Sequence, residues 1–353
     1  MSHAYDDREA TTETSHPWAG RPDGTLILSR RHVCELLSLD ESIDAVEEGF
    51  RKQSAAGAIP PGVLSAPASG GAFHVKAAGL QLAHPYFAAK LNGNFYDNSR
   101  RYGLPRIQGL IILCSAESGY PLAVMDSTEI TEVRTAAATA VAAKHLARQD
   151  ASVVTVCGCG LQGRVQLRAL SRVRGIKKVF AVDLRQQVAE KYADELSASL
   201  GVEVTPTQDL HASCRASDVC VTCTPSQRPM VETGDLSPGV FLAAVGADSE
   251  EKQELSSALL AQSKLVVDHL QQCAEIGELH HAIAEGLMTC SDVHSDLEAV
   301  IAGHRPGRVS DDEVIVFDST GVAHQDVACA SLVFEKAVQQ NIGIQLNLLH
   351  KRL

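Results

Sequence analysis

No apolar run in this chain approaches the roughly 20 residues that a helix needs to cross a bilayer, so no membrane association is expected. Net positive charge is also missing: 31 Lys and Arg stand against 43 Asp and Glu, a formal charge of −12. That balance argues against a general nucleic-acid surface and leaves room only for a local cationic pocket. The first residues, Met1-Ser-His-Ala-Tyr-Asp-Asp7, are polar and acidic and do not read as a secretion signal. With no export expected, ten cysteines read as reduced thiols and not as a disulfide framework, and the expected location is the cytoplasm. Cys220-Val-Thr-Cys223 has metal-site spacing but lacks a second Cys/His pair to complete it. It alternates like a buried strand, so no metal is expected. Internal repeats are absent as well.

At 353 residues the chain has length for one large or two ordinary cores, and two domains is the better prior. Residues 1–22, rich in Asp, Glu, Thr, Ser and Pro, read as a mobile arm. Ile27 to Arg51 holds a strand-like start and a helix with Asp40 or Ser42 as cap, and Gly57 to Gly71 reads as loop. Alternating segments at Phe73–Ala78, Tyr86–Asn92 and Ile107–Cys114 suggest a mixed or antiparallel sheet. Ser127 to Ala147 is a long Ala-rich helix with Thr131, Arg134, Thr135 and Thr139 as polar members.

From residue 151 the rhythm changes to strand, helix, strand. Strands are expected at Ser152–Cys157, Lys178–Val182, Asp218–Thr222, Val240–Val245, Leu265–Asp268 and Val314–Phe317. Helices or turns between them point to a parallel sheet covered on both faces. A last helix, Asp326 to Gln339, is expected to return to the first domain. The fold class read from this pattern is α/β: a Rossmann-type doubly wound parallel sheet plus a mixed α+β domain.

The first of those strands runs into Gly158-Cys-Gly160-Leu161-Gln162-Gly163, and the second ends at Asp183. Glycines at this spacing permit a tight turn, a close approach of backbone to a pyrophosphate, and tight helix–strand packing. The helix start offers free amides to the phosphates, and an acid at the end of the second strand suits a ribose hydroxyl. Doubly wound sheets bind ligands at the carboxyl ends of their strands, which directs attention to Thr222-Cys-Thr224 and Ala244-Val245-Gly246-Ala-Asp248. Gly246 suits a close approach to a nicotinamide ribose. Asp248 then stands at the cleft mouth as a proton donor or acceptor, or as the cap of a helix starting near Ser249.

One further absence is local. Between Glu48 and Asp97 there is no carboxylate, while Arg51, Lys52, His74, Lys76, His84 and Lys90 fall inside the gap. Lys76 and Lys90 interrupt apolar segments, and Arg134 interrupts the Ala-rich helix. Such positions suggest an anion pocket facing the cofactor, the alternative being lysines that point outward from half-exposed strands. Arg100 and Arg101 read as a solvated turn.

These stretches together resemble the ornithine cyclodeaminase/μ-crystallin family. The matching segments are Lys90-Leu-Asn-Gly-Asn94, Gly103-Leu-Pro-Arg106-Ile-Gln-Gly109, Gly119 to Asp126, and Thr131-Glu-Val-Arg134-Thr135-Ala-Ala-Ala138. Gly158 to Gly163, Val245 to Asp248 and Phe317-Asp-Ser319-Thr-Gly321 complete the series over roughly residues 25 to 350. The resemblance implies a cofactor domain, 131–319, inserted between two parts of a substrate and dimerisation domain, 23–130 and 320–353. It implies a homodimer, a small amino- or imino-acid substrate and NAD, with NADP left open by Arg185. Lys90 and Arg134 match positions that hold a substrate carboxylate, and Asp248, with Lys90, is the expected catalytic pair. The glycine loop with Leu161 and Gln162, together with Asp183 and Arg185, is the expected cofactor site. Thr135, Thr224, Val245, Gly246 and Ser319 are its further expected contacts.

The chain departs from the family pattern in three places. Pro60-Pro61-Gly62 stands where many members have Pro-Pro-Arg, Arg106 replaces a threonine, and His74-Val-Lys76 adds positive charge. Arg106 and Lys76 are therefore expected to meet a distal acidic group of the substrate. A missing carboxylate is awkward for the side-chain ammonium of ornithine. Imine reduction or amino-acid dehydrogenation, with iminosuccinate as a concrete candidate, ranks above an ammonia-releasing cyclodeaminase and above a non-catalytic binding protein.

Overall fold

The computed structural model describes residues 24–348. The expected arm, 1–22, and the last residues of the expected return, 349–353, lie outside the described residues.

Strand β1 (Thr25–Leu28) is followed by helices α1 (Arg30–Leu36) and α2 (Leu39–Lys52). Ser38 caps α2 by accepting from the Glu41 amide. Asp40 and Ser42, the expected caps, lie inside the helix, where Ser42 donates back to the Ser38 carbonyl at 2.6 Å. Strand β2 (Ile59–Ala68) occupies most of the segment expected as loop. It pairs antiparallel with β3 (Gly71–Gln81) through a turn at Ser69 and Gly70. Pro60 and Pro61 are tolerated because β2 is the edge of its sheet and they fall at a shift of register.

Strand β4 (Pro85–Phe95), the short helix α3 (Asn98–Tyr102), β5 (Ile107–Ser115) and β6 (Pro121–Asp126) continue the meander. Register places Lys76 directly opposite Lys90, Lys90 opposite Ile111 and Ile111 opposite Met125. These four residues therefore share one face of the sheet with His74 and Ala78, since side chains alternate. Helix α4 (Thr128–Leu146) is buried along nearly its whole length and packs on α2. A helix apolar all round belongs between layers.

The second half begins with β7 (Val153–Cys157), α5 (Leu161–Val173), β8 (Lys178–Val182), α6 (Gln186–Leu200), β9 (Glu203–Thr207) and α7 (Leu210–Arg215). It continues through β10 (Val219–Thr222), β11 (Gln227–Val231), β12 (Phe241–Ala244), β13 (Gln253–Leu255) and α8 (Ser257–Gln262). Strand β14 (Lys264–Val267), α9 (Leu270–Ile276), α10 (Glu278–Ala284), β15 (Ser295–Asp296), α11 (Leu297–Ile301) and β16 (Ile315–Asp318) complete it. Eight strands form a parallel sheet in the order β15-β14-β16-β12-β10-β7-β8-β9. Along β12, Phe241 and Ala243 belong to one hydrophobic core and Leu242 and Ala244 to another. Both faces are therefore covered, as a doubly wound sheet requires. The strand order, laid down outward from β7 to β9 and then outward on the other side from β10, reverses between β7 and β10, which makes the end of β7 the switch point where such sheets bind ligands.

Helix α12 (Ala323–Gln340) leaves β16 and lies across β3, β4, α2 and α4. Strand β17 (Ile344–Leu346) then pairs antiparallel with β1, giving a seven-stranded mixed sheet, β17-β1-β6-β5-β4-β3-β2. The fold is α/β, a Rossmann-type sheet beside a mixed α+β unit.

Candidate active site

At the end of β7, Gly158 has φ +102°, a conformation that side chains resist, and a Cβ there would stand 2.9 Å from the Cys223 carbonyl. A Cβ on Gly163 would overlap the Gly158 carbonyl, so α5 seats directly on the turn. Helix α5 is capped by Gly160 and no side chain takes its first amides. Those amides remain available to an anion. Past β8, the Asp183 carboxylate accepts from the Cys159 amide at 3.2 Å and the Arg185 amide at 2.9 Å. Leu161 is exposed on the helix start, and Gln162 donates to the Glu132 carbonyl at 3.4 Å. The Arg185 guanidinium stays outside, 3.8 Å from Asp183. An open helix start, a turn stripped of side chains and a carboxylate one strand over fit a dinucleotide with a free ribose 2′-hydroxyl.

The floor of the cleft is organised by Glu254, which the sequence analysis did not single out. Its fully buried carboxylate accepts from Thr222 Oγ1 at 2.7 Å, Thr224 N at 2.6 Å, Thr224 Oγ1 at 2.8 Å and Gly246 N at 2.8 Å. It thereby ties the ends of β10 and β12 together. Gly246 is required here because a Cβ would overlap the Glu254 carboxylate. The backbone at Gly246 thus approaches the Glu254 carboxylate closely. Burial pushes the Glu254 carboxyl up, against the pull of these hydrogen bonds.

Further buried carboxylates extend the pattern. Glu278 accepts from the amides of Glu254 at 2.7 Å and Leu255 at 3.1 Å. Asp318 accepts from Leu279 N at 3.0 Å, and burial pushes its carboxyl up to about 7. Asp268 accepts from Gly321 N at 2.7 Å, Thr320 Oγ1 at 3.0 Å and Ser319 Oγ at 3.3 Å. Each acid closes a strand or opens a helix of the crevice. Acids directly after apolar runs, as in Val266-Val-Asp268 and Val316-Phe-Asp318, are the signal that could have located two of them.

Across the cleft both lysines point inward. Lys90 Nζ lies 2.7 Å from Asp326 Oδ2, Arg134 Nε 3.1 Å from Asp326 Oδ1, and Arg134 Nη1 donates to Gln325 Oε1 at 2.8 Å. Lys90, Arg134 and Asp326 are only 4 %, 5 % and 1 % exposed. The expected anion pocket therefore carries its own carboxylate. Asp326 escaped notice because it read as the first residue of a helix that begins three residues earlier. Burial, reinforced by Arg134 and Lys76 and opposed by Asp326, pushes the Lys90 ammonium down to about 7. Lys76 Nζ donates to the carbonyls of Thr320 and Gly321, each at 2.9 Å, and burial followed by the Arg134 charge lowers its pKa too.

Asp248 lies beyond β12 with its side chain half exposed and ion-paired to Lys252. Loss of water contacts raises its carboxyl, but Lys252 and Lys76 outweigh this and hold it below the usual range. The same Asp248, with Lys76 and Lys252, acts on His74, whose pKa is lowered chiefly by burial. Residues 249–251 form a turn and no helix starts there, so Asp248 is not a cap. Thr135 Oγ1 donates to the Thr131 carbonyl at 2.7 Å, and the Val245 amide bonds the Thr222 carbonyl at 2.9 Å. Arg106 is not brought to this group. Its Nε donates to Asn94 at 2.9 Å and its guanidinium lies 4.2 Å over the Tyr96 ring, at the far end of β4 from Lys90. Arg100 and Arg101 pair with Asp97 on the exposed face of α3.

The sequence profile of the ornithine cyclodeaminase/mu-crystallin family matches residues 24–341. The chain belongs to this family. An alanine dehydrogenase of Archaeoglobus fulgidus is 40 % identical over 323 residues, covering 91 % of this chain and 98 % of that one. A solved archaeal alanine dehydrogenase dimer with bound NAD superposes with a TM-score of 0.88 at 39 % identity, covering 92 % of this chain and 99 % of that one. The crystal structure of the Paracoccus denitrificans iminosuccinate reductase with NAD+ superposes with a TM-score of 0.85 at 29 % identity, covering 92 % and 100 %. Among the described residues, no helix is long and apolar enough to cross a membrane.

Proposed function

We propose that this protein is an NAD-dependent oxidoreductase of amino or imino acids, working as an imine reductase or amino-acid dehydrogenase. The observation that carries the proposal is the grouping of His74, Lys76 and Asp248 beside the buried Lys90, Asp326 and Arg134. NAD, held by the α5 amides and Asp183, supplies or accepts the hydride exchanged at the substrate α-carbon. Lys90 and Arg134 hold the α-carboxylate. Asp326 keeps both cations aimed at one point and offsets part of their repulsion. Asp248, ionised at neutral pH, holds a protonated imine through its N–H and raises the share of the iminium form. Lys90, with a pKa near 7, is the group able to exchange a proton at physiological pH.

Cations outnumber carboxylates on the substrate side, and His74 and Lys76 lie where a second acidic group of the substrate would reach. A dicarboxylic imine, with iminosuccinate as the candidate, is therefore the proposed substrate. The likeness to an iminosuccinate reductase supports this reading, and the Asp183 carboxylate, which would repel a 2′-phosphate, supports the preference for NAD over NADP. In the proposed division, 23–130 with 320–353 forms the substrate unit and 131–319 the cofactor unit.

The test is NADH oxidation with a panel of 2-oxo acids and ammonia, compared with NADPH. Oxaloacetate should be the best acceptor, and pyruvate reacting while oxaloacetate does not would remove the dicarboxylate assignment. Ammonia release from ornithine without net NADH consumption would replace the reductase with a cyclodeaminase.

A further inference from the structure

Among the described residues the Asp248 carboxylate has one hydrogen-bonding partner, Lys252, whose Nζ donates to Oδ1. Oδ2 takes no hydrogen bond from the protein, and the Asp248 side chain is 53 % exposed, so that oxygen is open to a ligand. The direction in which the carboxylate points therefore depends on where Lys252 stands.

Lys252 stands on a fixed base. Its side chain is only 17 % exposed, and its amide donates to the Ser249 carbonyl at 3.0 Å. From α10 the His281 ring bonds the Lys252 carbonyl through Nε2 at 2.8 Å. The next three amides are held as well: Gln253 by the Ser226 carbonyl at 2.9 Å, and Glu254 and Leu255 by the Glu278 carboxylate at 2.7 and 3.1 Å. Ion pairs between two freely moving surface side chains contribute little, because ordering both costs entropy. Here one partner rises from a main chain that helix α10 and the loop after β10 already clamp, so the pair has a direction.

Three cationic or titratable groups face Asp248: Lys252 from its own turn, and His74 and Lys76 from β3. Together they keep it a carboxylate, which accepts hydrogen bonds and has none to donate. That state separates two kinds of substrate. An iminium nitrogen brings an N–H to the free oxygen. A carbonyl oxygen brings only lone pairs, and it needs a proton as hydride reaches its carbon. Resting on the reductase reading above, we propose that Lys252 is a positioning residue that commits this site to C=N bonds over C=O bonds. It holds Oδ1, leaves Oδ2 for the substrate N–H, and keeps Asp248 from donating. Without Lys252, Asp248 can carry a proton in mildly acidic solution. A hydride to carbon and that proton to oxygen then turn the C=O of a 2-oxo acid into CH–OH, with NADH leaving as NAD+.

The first test needs no turnover. In cofactor-free protein with isotope-labelled Asp carboxyls, the Asp248 signal is identified by its loss in Asp248→Asn and titrated by NMR. Its midpoint should rise toward the ordinary carboxyl range in Lys252→Met and stay low in Lys252→Arg. The second test compares NADH oxidation by oxaloacetate with and without ammonia, in mildly acidic buffer. The preference for the ammonia-containing reaction should fall about tenfold or more in Lys252→Met, the worth of one hydrogen bond to a charged group. Lys252→Arg should retain most of that preference. Lys252→Gln, polar and uncharged, covers the case in which Lys252→Met does not fold. An Asp248 midpoint unmoved in the uncharged variants, or an unchanged preference for ammonia, would overturn the proposal. Absence of NADH oxidation by wild-type protein with any 2-oxo acid and ammonia is instead failure of the reductase reading, and the titration tells the two apart.

Discussion

Lys90 is charged or neutral according to small changes in its surroundings, because burial has brought its pKa from 10.5 to about 7. Anchoring a carboxylate requires the protonated form. Raising the pH through about 7 should therefore weaken substrate binding, seen as a rise in KM on the alkaline side, and Lys90→Arg should remove that inflection. Asp248 behaves in the opposite sense. Its carboxyl is held low by Lys252 and Lys76, so it stays ionised through the neutral range, and its own limb lies on the acid side. Asp248→Asn should lower kcat by about 10–100-fold, the loss of a hydrogen bond to a charged group at about 1.5–3 kcal/mol, with NADH binding retained in fluorescence titration. Survival of full turnover in that variant would remove Asp248 from the chemistry.

Strand ends, more than strand interiors, set the shape of the cleft. Glu254 holds the ends of β10 and β12 by four hydrogen bonds, two of them to main-chain amides. Glu254→Ala leaves Thr224 N and Gly246 N buried without an acceptor, at about 1–3 kcal/mol for each unsatisfied group. Chemical denaturation should register that loss, and KM for NADH should rise. Gly246→Ala should be comparably harmful, for lack of room beside the same carboxylate. The elements that could be read directly from the sequence are those buried on both faces: β7, β8, β10, β12, β14 and β16 are apolar runs bounded by turns. Strand β2 was hidden because it is an exposed edge carrying three prolines, and its pairing depends on β3, not on its own pattern. Glu254 and Asp326 were hidden for a related reason. A carboxylate in sequence looks solvated, and only the packing of distant segments makes it buried and structural.

At the scale of the whole molecule, the outer face of the seven-stranded sheet stands out. Phe73, Leu91, Leu110 and Ile112 are exposed there, opposite the face that carries Lys76 and Lys90, and Phe73, Leu91 and Leu110 border a cavity of about 740 Å³. Apolar surface of this kind is usually covered by a partner, and a similar protein has been solved as a dimer. Homodimerisation through this face is the expectation. Leu91→Glu with Leu110→Glu should give a monomer in light scattering coupled to size exclusion, and an unchanged dimer would move the interface elsewhere. The order in which the site is made during synthesis follows from α12. Lys90 and Asp326 are 236 residues apart, and β3 and β4 find their covering helix only after β16 has been made. On a ribosome the cofactor unit can finish first, while the earlier sheet waits with Lys76 and Lys90 uncovered and unmatched. Nascent chains halted before residue 320 should therefore protect the glycine loop from protease and leave β3 and β4 open to cleavage.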